Sequence, residues 1–147
     1  MDKITPERRS WNMSRIRGRD TTPERQVRSL LHRMGYRFSL KRRDLPGNPD
    51  IVLPKYKTTI FVHGCFWHRH KGCKMATVPK THTDFWMHKF DDNVARDHVV
   101  QQKLLSDGWH VLIVWQCQVE RSPQTVARRL QAALLRIDQE HLNINPG

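Results

Sequence analysis

The sequence predicts a single α/β domain in which helices flank a mixed sheet. The patterns follow in the order helix, three strands, irregular segment, helix, strand and helix, and no internal repeat, low-complexity tract or interdomain linker interrupts them. The chain has 147 residues, of which 37% are hydrophobic, so it is long enough to bury one core and too apolar to be disordered by composition. The strongest pattern is the apolar run 109–115, which predicts a central strand.

The N-terminal third contains one clear helix. A Thr-Pro-Glu start at 22–24 places a capping residue, a proline and a carboxylate where the first turn of a helix favours them. Apolar side chains then recur with helical spacing until Gly35, where we expect the helix to stop. Residues 1–20 lack such a pattern, and we expect a short helix or an arm there.

Three strands are predicted in the next part of the chain. Alternation over 36–40 predicts the first strand, and the segments 50–53 and 58–62 predict a hairpin joined by the turn 54–57. Residues 63–90 show no clean period and carry the densest side-chain chemistry of the chain. A long irregular segment of this kind is typical of a functional loop or of one held by another device.

Helical patterns return in the second half of the chain. Residues 91–106 predict a helix with four residues partly inward: Val94, Val100, Leu104 and Leu105. A Ser-Pro start at 122–123 predicts a last helix after the central strand. The segment 141–147 is predicted to be a loose tail. The domain is thus expected to span residues 1–147.

The charge of the chain indicates a polyanionic partner. Lys and Arg number 26 against 14 Asp and Glu, a net charge of +12, and residues 1–43 alone carry +9 from 13 basic and 4 acidic residues. A basic N-terminal third on a milder body predicts a nucleic-acid clamp on a folded core, with a solvated basic face as the alternative. No apolar run approaches the roughly 18 residues of a membrane span, and no export signal is visible, so we expect a cytoplasmic protein.

The cysteines predict a metal site. Three cysteines without an export signal argue against a disulfide framework. Cys65, His70 and Cys73 lie within nine residues, and Cys117, just after the apolar strand, could supply a fourth ligand. Three cysteines and a histidine form a common structural zinc set, with His68 as the alternative histidine. Buried reduced cysteines beside unrelated histidines would also fit the pattern.

Acidic and histidine residues near the hairpin predict a phosphodiesterase site. Asp50 opens one strand and His63 follows the other, so antiparallel pairing brings them to one end of the sheet. Glu24 could join them from the first turn of its helix, and His68 offers a second imidazole. Carboxylates bind Mg²⁺, and histidines near neutral pH activate a water or protonate a leaving group. Taken alone, a Pro-Asp at a strand start is more typical of an ordinary turn.

Two aromatic pairs lie in or near residues 65–73, which carry three of the predicted metal ligands and are called the metal segment below. Phe66-Trp67 lies between its ligands and Phe85-Trp86 follows it, with lysines nearby to contact phosphates. One interpretation is a small core around the metal. The other is that the rings stack on DNA bases or enter between them.

The sequence of residues 61–68, with Pro-Asp at 49–50 and the run 111–117, resembles the very-short-patch-repair (Vsr) mismatch endonucleases. The resemblance covers most of the chain and includes Asn-Met at 12–13 and Asn-Val-x-Arg-Asp at 93–97. It implies a restriction-endonuclease-like core in which only the Pro-Asp of the usual PD…(D/E)xK signature survives. It also implies nicking of one strand of duplex DNA, 5′ of the mispaired T in a T:G mismatch that arises from 5-methylcytosine deamination, to start very short patch repair.

The resemblance implies roles for individual residues. The catalytic residues would be Asp50, His63, His68, Glu24 and Asp97. Mg²⁺ would be bound by Asp50 and the main-chain carbonyl of Val62. Structural zinc would be bound by Cys65, His70, Cys73 and Cys117. The DNA would be contacted by Met13, Phe66, Trp67 and Trp86.

Within that set, His68 would lie near the attacking water, and the resemblance leaves open which histidine acts as base and which as acid. Arg69 breaks up the histidine run of the family pattern, and Gly72 lengthens the spacing between the zinc cysteines by one residue. The family implies a bacterial monomer, with a mismatch-repair coupling protein and a companion cytosine methyltransferase as possible partners. A restriction-type endonuclease that cuts both strands and a non-catalytic, zinc-braced DNA-binding module are the alternatives.

Overall fold

The structure is a computed structural model that describes residues 21–40 and 42–144. Its elements, in chain order, are α1 (Thr22–Arg33), β1 (Ile51–Leu53), a 3-10 turn (Pro54–Tyr56), β2 (Thr58–His63), α2 (Thr83–Ser106), β3 (His110–Trp115), α3 (Gln116–Arg121) and α4 (Pro123–Ile144). The predicted N-terminal arm, with Met13, lies outside the described residues. The mixed α/β class predicted from the sequence is confirmed.

The sheet described here has three strands in the order β1-β2-β3. Strand β1 pairs antiparallel with β2, as the predicted hairpin requires, and β3 pairs parallel with β2. The prediction that the run 109–115 is central was wrong, because β2 is the central strand and all six of its residues are buried. In β3 only Val114 is fully buried.

This pairing brings three chain positions to one edge of the sheet. The parallel register places His63, at the end of β2, opposite Trp115, at the end of β3. The antiparallel register places Ile51, at the start of β1, opposite Ile60, so that Asp50 lies at the same edge. Residues that precede β1, end β2 and follow β3 therefore meet, and the metal segment begins there.

The core lies between the helices and the sheet. Helix α1 buries Val27 and Leu31, and α4 buries Leu130 and Leu134, all of which pack in one cluster with the sheet residues Ile51 and Ile60. Helical spacing of apolar residues predicts these inward faces, and their burial from water is the main stabilising term of such a core. Gly35, at φ +84°, ends the turn after α1 in a conformation that favours glycine.

Other elements differ from the sequence prediction. Segment 36–40 forms a single bridge, Ser39 to Val52, rather than a strand. Helix α2 begins at Thr83, so the irregular segment is shorter than predicted. In α2 the buried residues are Phe90 and Leu104. Of the four residues expected to be partly inward, Leu104 is buried and Val100 half-buried, whereas Val94 and Leu105 are 45% and 51% exposed.

The C-terminal part of the described chain is more helical than predicted. The short helix α3 was not predicted, and it joins β3 to α4 through a turn at Ser122. Helix α4 continues to Ile144, into the segment predicted to be a loose tail. Within the described ranges, no helix combines the length and the apolar character that a membrane crossing would need.

Candidate active site and metal centre

A pair of carboxyl groups, those of buried Glu24 and half-buried Asp50, lies at the sheet edge. Glu24 is 6% exposed and lies in the first turn of α1, where the helix favours an anion. The Val62 N–H donates to Asp50 Oδ2 at 2.7 Å, and the Glu24 carboxyl group is near enough to raise the pKa of Asp50. Arg28 Nη2 lies 3.3 Å from Glu24 Oε2. Sequence reasoning therefore placed this pair together correctly.

The environment of the acid pair disfavours two negative charges. Burial, and then the charge of Glu24, raise the pKa of Asp50 to about 7. Two carboxyl groups that share a site in this way repel each other when both are ionised. Hard oxygen donors under mutual repulsion fit a divalent cation such as Mg²⁺, which would relieve the repulsion.

Two histidines lie face to face beside the acid pair. The rings of His63 and His68 stack with centroids 3.8 Å apart and planes within 4°. His68 Nδ1 lies 2.6 Å from Asp97 Oδ2, a carboxylate on α2. Burial, and then the neighbouring His68, lower the pKa of His63 to about 4, so His63 is neutral near neutral pH. One donor atom from each of His63, His68 and Asp97 lies within 4.8 Å of the others.

These groups line one open cleft of about 600 Å³. Its walls include all five predicted catalytic side chains: Glu24, Asp50, His63, His68 and Asp97. The sequence did not single out Asn93 and Arg96 as individual residues of this wall, yet α2 brings both to the cleft. The spacing from Asn93 was the available signal, because Arg96 and Asp97 lie three and four residues after it and residues so spaced share one helix face.

Four further side chains converge just beyond the strand ends. The metal-binding atoms of Cys65, His70, Cys73 and Cys117 all lie within 4.8 Å of one another. Cys117 Sγ is 3.3 Å from His70 Nδ1, and the Cys117 N–H donates to Cys65 Sγ at 3.4 Å. Three thiols and an imidazole are the donor set of a tetrahedral structural zinc site. Of the two candidate histidines, His70 belongs to this cluster and His68 to the cleft.

Arg69, the departure from the family pattern, separates the two histidines. Its backbone is left-handed, at φ +54°. Its guanidinium donates to the carbonyls of Phe66, Ala76 and Thr77, and its central carbon lies 3.9 Å from the ring centroid of Phe90. Arg69 thus links the start of the metal segment to the residues that follow it, and its contact with Phe90 packs the segment against α2.

The predicted aromatic residues form one cluster with Phe90. Phe66 lies edge-on to Trp67 with centroids 5.0 Å apart, and the Trp67 and Trp86 centroids are 5.7 Å apart. Trp67 is only 6% exposed, whereas Phe85, at the margin, is 61% exposed. The rings therefore form a small core beside the metal segment, as one of the two interpretations predicted. Contact with DNA stays a prediction.

A mixed sheet with an acid pair and an aspartate-bound histidine at one edge fits one class of protein, the hydrolases that use a metal ion and a water. The family profile described as DNA mismatch endonuclease Vsr matches residues 1–75. The chain is 47% identical over 116 residues to the DNA mismatch endonuclease Vsr of Escherichia coli K12, across 79% of this chain and 72% of that protein.

Two similar proteins carry the name type II nicking enzyme. V.XorIIP of Xanthomonas oryzae pv. oryzae is 50% identical over 118 residues, which cover 80% of this chain and 86% of that protein. V.NmeAIP of Neisseria meningitidis is 40% identical over 119 residues, which cover 81% and 84%. The chain therefore belongs to the Vsr DNA mismatch endonuclease family, and the predicted restriction-endonuclease-like fold class and DNA endonuclease activity are confirmed.

Proposed function

We propose that this endonuclease nicks one strand of duplex DNA 5′ of the mispaired T in a T:G mismatch, with Mg²⁺ as cofactor. The observation that carries the proposal is the convergence of the Asp50–Glu24 pair and the His63–His68–Asp97 array in one cleft. The relatives named mismatch endonuclease and nicking enzyme support the same reaction class.

In this proposal Asp50 and the main-chain carbonyl of Val62 would hold Mg²⁺, and Glu24 would orient water beside it. Bound there, the cation would polarise the phosphate oxygens and favour ionisation of a water. The Asp50 carboxylate is already fixed by the Val62 N–H. Its high pKa means that cation binding must displace a proton from the acid pair near neutral pH.

His68 is the proposed general base. With Nδ1–H donated to Asp97, its Nε2 carries a lone pair and accepts a proton from the attacking water. The water oxygen bonds to phosphorus, the bond from phosphorus to the leaving sugar oxygen breaks, and that oxygen keeps the electron pair and takes a proton from solvent. His63, neutral and stacked on His68, holds the second ring in place and offers a hydrogen bond to the reacting groups.

We propose that the aromatic cluster recognises the mismatch. A mispaired step costs less to unstack than a paired one, so a ring that enters the stack selects mismatches before any base edge is contacted. Phe66 and Trp86 are partly exposed, while Trp67 is buried among them, so entry of Trp67 requires the cluster to open. We also propose a monomer that works in the bacterial cytoplasm, with a coupling protein and a companion methyltransferase as partners.

The metal segment is proposed to hold zinc through Cys65, His70, Cys73 and Cys117. Such a site supplies folding energy rather than chemistry. It would order the segment that carries Phe66 and Trp67.

The test compares matched and T:G duplexes, each labelled on both strands, with and without Mg²⁺. We expect a single nick in the T strand of the mismatched duplex, dependent on Mg²⁺ and lost in Asp50→Asn. Cleavage of both strands of matched DNA would instead support a restriction-type enzyme. Binding without cleavage would support a DNA-binding module.

A further inference from the structure

Arg96 stands out among the residues of the cleft wall. It is the single Lys or Arg among the described residues that line the cleft. Four carboxyl groups share that wall, those of Glu24, Asp50, Asp97 and Glu120. A DNA phosphate that approaches the cleft therefore meets a concentration of like charge, which one guanidinium is placed to offset.

The guanidinium of Arg96 is not used to hold the fold. Arg28 pairs with Glu24, Arg42 with Asp44, and Arg69 with three carbonyls. Across the part of the chain that the structure describes, Arg96 has no such partner, and its residue is exposed. Its charge is available to a ligand.

Helix α2 determines the position of Arg96. Asn93, Arg96, Asp97 and Val100 all line the cleft, and their spacing puts them on one face of α2. Asn93 Nδ2 donates to the Trp67 carbonyl at 3.5 Å, and Asp97 binds His68. A Cβ built on Gly47 would lie 2.4 Å from Val100 Cγ1, so the loop before β1 packs closely on this face. Arg96 therefore projects from a helix face anchored at three neighbouring positions.

We propose that Arg96 is a further catalytic residue, which binds a non-bridging oxygen of the phosphate that is cut and holds that phosphate beside His68. The inference rests on the proposed function of the cleft. The planar fork of arginine matches two phosphate oxygens, and it stabilises the charge that grows on them as water attacks. Arg96 neither gives nor takes a proton, because a guanidinium stays protonated at any pH the reaction uses.

The experiment compares Arg96→Gln and Arg96→Lys with the control Arg128→Gln. Arg128 is exposed on α4 and does not line the cleft, so its variant removes the same charge elsewhere. Single-turnover nicking of the T:G duplex by excess enzyme should fall about 100-fold in Arg96→Gln relative to the control. Duplex affinity should fall far less than the rate, because one phosphate contact is a small part of the interface. The thermal midpoint should match that of Arg128→Gln, and Arg96→Lys should recover part of the rate.

A second readout reports direct contact with the phosphate. Duplexes with sulfur in place of one non-bridging oxygen at the cut site, as separated diastereomers, should include one that wild-type enzyme cuts slowly even with Mn²⁺. In Arg96→Gln that diastereomer and the oxygen duplex should react at equal rates. A rate for Arg96→Gln equal to that of Arg128→Gln, or an unchanged sulfur effect, would overturn the inference.

Different results would contradict the proposed function and the role of Arg96. If wild-type enzyme does not nick the T:G duplex, or if Asp50→Asn still nicks it, the proposed function itself is wrong. If wild type nicks and Asp50→Asn does not, while Arg96→Gln behaves like the control, only the role of Arg96 is wrong.

Discussion

Replacing Asp50 by asparagine should stabilise the protein at about pH 8 without added Mg²⁺, although it removes a proposed cofactor ligand. Burial and Glu24 raise the pKa of Asp50 from 3.8 to about 7. Between these values the folded state keeps a proton that the unfolded chain has released. The contribution of this group to stability is therefore fully present below the lower pKa and lost as the pH rises through the higher one.

The magnitude follows from the size of the pKa difference. A rise of about three pKa units, at 1.36 kcal/mol each, corresponds to about 4 kcal/mol lost once Asp50 is ionised. Asparagine carries no charge, and its side-chain oxygen still accepts from the Val62 N–H. Side-chain rearrangement and entry of water in the ionised protein reduce the difference, so we expect a gain of roughly 1–3 kcal/mol.

The assay is urea unfolding of wild type and Asp50→Asn at about pH 5 and pH 8, with zinc retained. The variant should be only slightly more stable than wild type at the lower pH and clearly more stable at the higher one, because the difference grows with pH between the two pKa values. Asp91→Asn, at an exposed position of α2, controls for the loss of one charge. Equal differences at both pH values, or a less stable variant at pH 8, would refute the electrostatic account of the acid pair.

Mg²⁺ should reverse the order of stability. A ligand that binds only the folded state stabilises it by about 2.7 kcal/mol at a concentration of 100 times its dissociation constant. Wild type should therefore gain stability with added Mg²⁺ at about pH 8, while Asp50→Asn should not. Equal gains in both proteins would place the cation elsewhere.

Three further predictions follow from the site. Asp97→Asn, which removes the carboxylate that orients His68, should slow nicking by about 10- to 100-fold at unchanged duplex affinity, and an unchanged rate would contradict the proposed base. Cys73→Ala and Cys117→Ala should each lose bound zinc by elemental analysis and unfold at lower temperature, and undiminished zinc would remove the metal centre from these residues. Trp67→Ala should cost about 3–5 kcal/mol in urea unfolding because the ring is buried, and a loss under about 1 kcal/mol would show that the cluster is not a packed core.

The sequence predicted those parts of the site that depend on local pattern. The helical period marks α1, and the antiparallel hairpin requires that Asp50 and His63 meet at one end. The position of β3 depends on its parallel pairing with β2 through the crossover that contains α2. Hydrophobicity within a strand does not determine its order in the sheet, and the apolar residues of β3 are half-buried apart from Val114, so the prediction of a central strand failed.

The sequence did not assign Asn93 and Arg96 to the cleft wall for a different reason. Polar side chains at helical spacing usually mark a solvent face, so the pattern of Asn93, Arg96 and Asp97 does not indicate a cleft by itself. The sequence could not show whether His68 or His70 joins the three cysteines, because that depends on the path of the loop between them. The left-handed turn at Arg69 lies between them, and one histidine goes to Asp97 while the other goes to Cys117.

The candidate metal centre and the proposed catalytic cleft share one sheet edge, and Trp115 links them. Its ring stacks on His70 with centroids 4.2 Å apart and meets the ring of His63 edge-on at 5.2 Å. His63 in turn stacks on His68. A cation that fixes His70 therefore also fixes one side of the ring array whose other end is the proposed base. The parallel pairing of β2 and β3 makes this possible, because it ends both strands beside the segment that carries the metal ligands.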